Sequence, residues 1–573
     1  MFPLHEPIAD ALRAELKEYD DLTAALLARR GIATKAAAEK FLNPSYDEHL
    51  HDPLLMTDME KAARRLASAI KAGEKIAVWS DYDCDGIPGA VVLHDFLQKA
   101  GADFENYIPH RHIEGYGMNT DGIEQLARSG VRLVITVDSG ITDLAPIALA
   151  KELGMEVIVT DHHLPGDELP DAFAIVNPHA RNDETYPFRE LCGAAVAWKL
   201  VVATLAVEPT LREKIPEGWE KWLLDMVGLA TIADMVPLIG ENRVLATYGL
   251  LVLRKSPRLG LQKLCRGMRV EQRAITEDDV GFMIAPRVNA ASRMGDARDA
   301  FRLFTAADES EADELAKKLE RANRQRKAEA GAITRAVHAR LKERGDVRGI
   351  IALGDPEWRP ALLGLVAGTI ADEFERPVFL WGREGNGKLK GSMRSGGAVH
   401  GFELMNAAVD TFEQFGGHAA AGGFTLRDDA VFFLEDNLVA ALEASAPFQA
   451  GTEHARADAE LVVSEATRGF LAKMERFAPF GMENEKPAFL LRDALVREVA
   501  RFGKGEEHLK LKLVSSDART SIDAVAFFAK GALARTASAL DASTPVQILA
   551  HLERDTFSRG QPVRLRLLDM KVR

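Results

Sequence analysis

What most constrains this chain is a strand signal that ends in acid three times over. The run Ile76-Ala77-Val78-Trp79-Ser80 runs into Asp81-Tyr82-Asp83-Cys84-Asp85-Gly86. The run Arg132 to Val137 ends in Asp138-Ser139-Gly140, and Glu156 to Thr160 ends in Asp161-His162-His163. Each run is short, apolar and rich in β-branched residues, which reads as a buried strand. Helical patterns lie between the runs: Met59 to Lys71 before the first, Ala90 to Ala100 after it, then Thr120 to Ser129 and Leu144 to Leu153. A further short strand is expected at Phe104 to Ile108. Strands alternating with helices predict a parallel, helix-covered sheet. Such sheets present their ligands at the carboxyl ends of the strands, so Asp81, Asp83, Asp85, Asp138, His162 and His163 are expected on one rim. Taken alone, the first motif is equally compatible with a solvated acidic turn. An EF-hand loop fits it poorly, because the Gly follows the third Asp directly and no Glu closes the loop. As a set, the carboxylates would repel one another unless a cation sat among them. Oxygen and imidazole donors together suit Mn²⁺ or Mg²⁺.

The rest of the chain adds a second unit and a third. Asp225 to Ala233 reads as an apolar helix, and Asp234 after it is either a cap or a further carboxylate for the cluster. Phe282 to Gly295 reads as loop-like and carries Arg287, Asn289 and Arg293, placed either to hold phosphate bidentately or to form structural ion pairs. Residues 308–345 read as one charged helix with apolar positions at Leu315, Leu319, Ala322, Ile333, Val337 and Leu341, a rigid connector. A second α/β unit runs from Gly349 to about residue 445. It carries Gly391-Ser392-Met393-Arg394 and Gly416-Gly417-His418, where glycines allow close backbone approach and Ser, Arg and His can donate to phosphate. From about residue 455, short alternating strands at His508 to Leu513, Thr520 to Phe527 and Val563 to Leu567 predict a small β-barrel. Lys510, Lys512, Arg564 and Arg566 would then line one face of it.

Charge supports that division. The 573 residues carry a net charge of −14, yet residues 501–573 hold 13 Lys/Arg against 8 Asp/Glu. A basic tail on an acidic body points to a local nucleic-acid surface. Cys84, Cys192 and Cys265 are odd in number and far apart, which excludes a disulfide framework or a Cys-based zinc site. The first residues lack the pattern of a secretory signal, and no apolar run approaches membrane-spanning length, so a soluble cytoplasmic protein with no membrane partner is expected.

Asp81 to Gly86, Val137 to Gly140, Asp161-His162-His163 and Ala233-Asp234 resemble the four motifs of the DHH phosphoesterases. Pro109 to Gly117, Pro286 to Arg293, Gly391 to Ser395, Gly416 to His418 and Ala478 to Gly481 with Asn484 and Pro487 narrow the likeness to that family's single-strand-specific exonucleases. Residues 1–55 read as a helical, accessory extension. The resemblance, which runs from about residue 50 onward, implies a parallel-sheet DHH catalytic domain over 56–305. A connecting helix over 306–345, a DHH-associated α/β domain over 346–445 and an OB-fold over 446–573 would follow. It also implies two divalent cations. One would be held by Asp85, Asp138, His162 and Asp234, the other by Asp81 and Asp83 with Asp138 shared. His163 would sit beside the scissile phosphate, with Asp138 and Asp81 the other catalytic groups. Arg111, Arg287, Asn289, Arg293, Ser392, Arg394 and His418 would hold the strand and its terminal phosphate. Lys510, Lys512, Arg564 and Arg566 would track the incoming strand. The expected activity is 5′ to 3′ hydrolysis of single-stranded DNA to mononucleotides by a monomer that cooperates with a helicase and a single-strand-binding protein. Two rival readings are a DHH phosphodiesterase acting on short oligonucleotides or cyclic dinucleotides, and a non-catalytic DNA-binding scaffold. The chain departs from the family pattern at Ser80, at Ile87-Pro88-Gly89, at Ser292 and at Trp358-Arg359-Pro360-Ala361, which puts local substrate contacts in question but removes no metal ligand.

Overall fold

Five fully parallel strands, β1 (Ile76–Ser80), β2 (Phe104–Tyr107), β3 (Leu133–Val137), β4 (Glu156–Thr160) and β5 (Ala174–Val176), form the first sheet of the computed structural model. Described are residues 2–345, 347–385, 387–444 and 456–572, apart from 504–505, 507, 518, 528, 530–532, 534–535, 538–539, 541–543, 557 and 559. The expected junction at residues 445 and 446 therefore lies outside the described residues. The chain divides into two units, 51–236 with 248–451 and 1–50 with 237–247 and 452–573.

Every residue of β1 and β3 is buried, as helices on both faces of a parallel sheet require. Alternation sends Ala77 and Trp79 into one layer with Val134, Val157 and Ile123, where Trp79 stacks on Tyr107 at 4.1 Å between ring centroids. The helices Gly86–Ala100, Gly193–Val207 and Leu224–Ala233 carry mostly buried residues and pack on one another. The strand order is β2-β1-β3-β4-β5, so the chain reverses its direction of growth between β1 and β3. A crevice opens at the carboxyl ends of strands at such a switch point. The acidic motifs lie at that point because they follow β1, β3 and β4.

The connector is one helix, Glu309–Arg344. Asp308 caps it by accepting from the Ser310 and Glu311 amides, and Lys342 and Arg344 close it. Leu315, Leu319, Ile333, Val337 and Leu341 are buried as expected, whereas Ala322 is half-buried and Asn323 takes the inward position beside it. Residues 280–294 differ from the loop expected there. They are helical, a π-turn over Val280–Ile284 continuing into Ala285–Met294, with Pro286 directly after the π-turn, where the widened turn accommodates a residue that has no amide to donate.

The second sheet combines β6 (Ile351–Gly354), β7 (Val378–Arg383), β8 (Leu389–Arg394), β9 (Phe412–Gly417) and β10 (Ala421–Leu426) in the order β6-β7-β8-β10-β9. Only β6 and β7 pair in parallel. Helix Pro360–Phe374 covers one face through Leu362, Leu363, Val366 and Ile370.

In the other unit, β12 (Ala488–Phe502), β13 (His508–Val514), β14 (Ser521–Ala526), β15 (Pro545–Arg554) and β16 (Val563–Val572) close into a barrel through the β12–β15 pairing, with the short β11 (Ala459–Glu460) alongside β12. Leu509, Leu511 and Leu513 point inward, and their core continues through Leu16, Leu27, Phe41 and Leu42 of the N-terminal helices. Asn484 donates to the Phe477 and Pro479 carbonyls and accepts from Arg30. The segment expected to be an accessory extension is therefore part of the barrel's own core.

Candidate active site

The site begins with Asp138, the first residue after β3. It adopts a left-handed φ of 59°, a conformation that Asp tolerates better than most residues and that costs free energy unless the surroundings hold it. Gly193 makes room for it. A Cβ at that position would lie 2.6 Å from the Asp138 Cβ and 2.8 Å from its Oδ1, so any larger residue would occupy the carboxylate's place. The amides of Gly193 and Ala194, opening the helix Gly193–Val207, donate to Asp85 Oδ2 and Oδ1 at 2.6 and 2.8 Å. A helix start favours a carboxylate through both its free N–H groups and its dipole. Asp83 Oδ1 accepts from the Asp85 and Gly86 amides and folds the acidic loop, and Asn289 accepts from the Cys84 amide at 2.9 Å.

Three overlapping groups of donor atoms result, each with its atoms within 4.8 Å of one another: Asp81, Asp83 and Asp138; Asp85, His162 and Asp234; Asp138, His162 and His163. His162 Nε2 lies 3.1 Å from Asp138 Oδ1, 3.6 Å from Asp85 Oδ2 and 3.8 Å from Asp234 Oδ2. Asp81 Oδ1 and Asp138 Oδ1 are buried with no hydrogen-bond partner. A buried carboxylate oxygen without a hydrogen bond is costly in a metal-free protein, and is what a cation site requires. The donor set, with Asp138 common to two groups, therefore fits a pair of hard divalent cations. Asp234 terminates helix Leu224–Ala233 and also joins the cluster, so its two possible roles coincide.

The electrostatics agree. Burial, then the charges of Asp85, Asp83, Asp81 and Asp234, pushes the Asp138 carboxyl well above the usual range. Burial, then Asp83, does the same to Asp81. Burial with Asp85 and Asp83 lifts Asp234 to about 8. Asp161 differs although it is fully buried. Burial opposes its ionisation, but hydrogen bonds from His163 and the Ile141 amide and the nearby imidazoles outweigh that and hold it below the ordinary value. In return Asp161 overcomes the effect of burial on His163 and raises that imidazole to about 9, Nδ1 to Oδ1 being 2.8 Å. A bound divalent cation would cancel much of the field that raises it.

Two residues not singled out from the sequence belong here. Tyr116, between two glycines, donates to the Asp138 carbonyl at 3.1 Å and meets His163 Nδ1 at 3.2 Å. Tyr82, within the acidic motif, carries the Arg111 guanidinium 4.8 Å above its ring. Tyrosines flanked by Gly or Asp in turn-rich segments were the available signal.

The other expected site residues are placed unevenly. Arg293 lies in the same unit, half-buried, its guanidinium lowered to about 10 by desolvation and by Arg111 and Arg326, and it donates to the Ala361 carbonyl. Ser392 and Arg394 face helix Pro360–Phe374, where a Cβ on Gly364 would meet Arg394 at 2.9 Å and Ser392 Oγ at 3.5 Å. Arg394 has no carboxylate partner among the described residues. His418 is exposed in the turn between β9 and β10. Arg287, expected to hold substrate, is instead buried and paired with Glu320 of the connector at 2.7 Å. Asn289 supports the acidic loop through its side-chain oxygen. Arg359, at a departure from the family pattern, pairs with Glu329 at 3.1 Å. On the barrel, Lys510 and Lys512 project outward, Lys510 paired with Asp523 at 2.8 Å. Arg566 lies over Phe527, 5.0 Å from its centroid. Arg564 is corrected: it is buried between Glu553 (2.7 Å) and Asp555 (2.9 Å), and its charge is neutralised there. The reason is cross-strand register, which sets Arg564 opposite Glu553.

Residues 75–231 match the DHH family N-terminal domain, 346–447 the DHHA1 domain and 457–569 the RecJ OB domain. The chain is 36% identical over 507 residues to the single-stranded-DNA-specific exonuclease RecJ of Bacillus subtilis, a match covering 88% of this chain and 63% of that one. It is 33% identical to the protein of that name from Salmonella typhimurium over 82% of this chain and 84% of the relative. The crystal structure of RecJ from Thermus thermophilus in complex with Mn²⁺ superposes with a TM-score of 0.78 at 28% identity, covering 98% of this chain and 77% of that one.

Proposed function

This chain belongs to the RecJ family of DHH phosphoesterases, and on that premise we propose that it is a metal-dependent exonuclease that degrades single-stranded DNA from the 5′ end, processively, to mononucleotides. The observation that carries the reading is the convergence of Asp81, Asp83, Asp85, Asp138, His162 and Asp234 at the switch point of the parallel sheet, with the buried Asp138 Oδ1 unsatisfied. Asp85, Asp138, His162 and Asp234 would hold one cation, Asp81, Asp83 and Asp138 the other, with Mn²⁺ or Mg²⁺ the ions that suit these donors. When bound, the pair supplies an acidified water and neutralises charge on the phosphodiester.

The chain's own residues position the reaction. Asp161 and Tyr116 fix His163 through Nδ1, which leaves Nε2 for a phosphate oxygen. Arg111, braced on Tyr82, and Arg293, with Ser392 and Arg394 from the second sheet, would grip the strand and its terminal phosphate, and His418 would lie near the released group. A fixed distance from the phosphate grip to the carboxylates is what makes such an enzyme an exonuclease. Lys510, Lys512 and Arg566 would contact the backbone of the longer strand on the barrel. The domain limits follow the sequence reading: 56–305 catalytic, 306–345 connector, 346–445 DHH-associated, 446–573 OB-fold. A cytoplasmic monomer acting in repair and recombination, supplied with single strands by a helicase and a single-strand-binding protein, fits this activity. No described helix is long and apolar enough to cross a membrane.

The deciding experiment is a time course on single-stranded DNA labelled at one end and blocked at either, with Mn²⁺ or with EDTA. Mononucleotides should appear only with metal and only when the 5′ end is open. Internal cuts first, or release from a 5′-blocked strand, would overturn the reading.

A further inference from the structure

Residues 251–275 run against the charge of the whole chain, with seven Lys/Arg and a single Asp/Glu, Glu271, in a protein of net charge −14. Two of the seven have evident structural roles. Arg258 joins Asp225 and Asp95, both at 2.7 Å, and Lys263 pairs with Glu309 at 2.8 Å. Among the described residues, Arg254, Lys255, Arg266, Arg269 and Arg273 have no carboxylate within ion-pair distance. Three of these, Arg254, Lys255 and Arg273, line an open cavity of about 620 Å³ together with Leu251, Ser256, Gln262 and Gln272.

The cavity is built on rigid ground. Arg254 donates through Nε to the Ile275 carbonyl at 2.8 Å, which leaves its terminal nitrogens available. Gln272 donates to the Leu253 and Ser256 carbonyls, both at 2.9 Å. Ser256 Oγ bonds the buried Asp225 carboxylate at 2.7 Å. Cations with no carboxylate partner around a concave surface match an anion.

We propose that this face is a second nucleic-acid contact, which holds the sugar–phosphate backbone of the substrate outside the stretch seated at the carboxylate cluster. The inference rests on the nuclease reading above. An acidic protein segment is the rival occupant. The lining favours nucleic acid, because three cations and no carboxylate line the cavity, as a run of backbone phosphates requires. Arginine in excess over lysine suits phosphate oxygens as well.

The test compares the native enzyme with Lys255→Ala/Arg273→Ala, and with a second variant that adds Arg254→Ala. Binding of a long 5′-blocked single strand, and of a duplex with a 5′ single-stranded tail, is followed by anisotropy over a range of salt. Turnover of a short 5′-phosphorylated oligonucleotide is the control. The double variant should flatten the log–log salt slope on the single strand by about 1.4, two phosphates at about 0.7 each. It should weaken long-substrate binding several-fold at low salt and leave short-substrate turnover unchanged. The triple variant should flatten the slope further by about 0.7. An unchanged slope and affinity on both long substrates in a folded double variant would overturn the proposal. So would unchanged DNA binding with loss of binding to an acidic peptide, which would assign the cavity to a protein partner. Failure of the nuclease reading is distinguishable, because it would appear in the native enzyme as no metal-dependent turnover of the short oligonucleotide.

Discussion

Asp138 is the residue on which most of the site depends, and the form of its replacement matters. Its left-handed φ makes Asn a better probe than Ala, since Asn adopts that conformation readily and keeps the shape of the side chain. Asp138→Asn should reduce Mn²⁺-dependent hydrolysis by about a hundredfold or more, comparable to removing a key group that stabilises developing charge. The metal-free variant should unfold at a higher temperature than the native protein, because one member of a repulsive buried cluster has been neutralised. Retention of most of the activity in a steady-state assay would remove Asp138 from its shared position. Arg394 allows a second test at this scale. With no carboxylate partner among the described residues, its substitution by Ala should cost binding of 5′-phosphorylated strands roughly ten- to a hundredfold, the worth of a charge-assisted contact, and affect 5′-hydroxyl strands less. Equal losses on the two substrates would return Arg394 to a structural role.

At the scale of elements, the site is a meeting of strand ends with one helix start. Helix Gly193–Val207 contributes no acid or base to the chemistry, yet its first amides hold Asp85 and its first residue gives Asp138 room. Gly193→Ala should therefore abolish high-affinity Mn²⁺ binding measured by calorimetry while leaving the far-ultraviolet spectrum intact. The carboxyls these elements bring together also set a pH dependence. In the metal-free protein Asp81, Asp85, Asp138 and Asp234 stand above their ordinary values, Asp234 at about 8. Folding then takes up protons, so their penalty is absent below the ordinary carboxyl range and grows as pH rises through about 8. In EDTA the protein should melt higher at pH 6 than at pH 8, and the difference should narrow in Asp138→Asn. With Mn²⁺ the order should reverse, because ligand atoms must be deprotonated to bind.

At the scale of the molecule, the N-terminal helices and the barrel share a core. Leu16, Leu27, Phe41 and Leu42 are buried against the same cluster as Leu509, Leu511 and Ile548. Deleting residues 456–573 would thus expose the apolar faces of helices more than four hundred residues earlier in the sequence. The truncated protein should be poorly soluble, with residues 1–50 cut first in limited proteolysis. A soluble product with a protected N-terminus would show that the helices fold without the barrel.

Local pattern determined much of this protein. Strand-length apolar runs ending in Asp or His, separated by helical periods, were enough to read a parallel sheet with a carboxylate rim, because strand direction alone fixes which end of each run faces the ligand. The long connector was legible from its charge and period, and the barrel from alternation. Tertiary structure decided what depends on partners distant in the chain. Arg287 and Arg293 look alike in sequence, yet one is neutralised by Glu320 while the other stands half-buried near Arg111 and donates to a carbonyl. Arg564 alternates in step with Arg566, but register against β15 encloses it between two acids. Asn289 supports the acidic loop through its side-chain oxygen, and residues 280–294 wound into helix with a proline placed directly after a π-turn. A charged side chain's role follows from which opposite charge the fold brings within a few ångströms, and no spacing along a single chain encodes that distance.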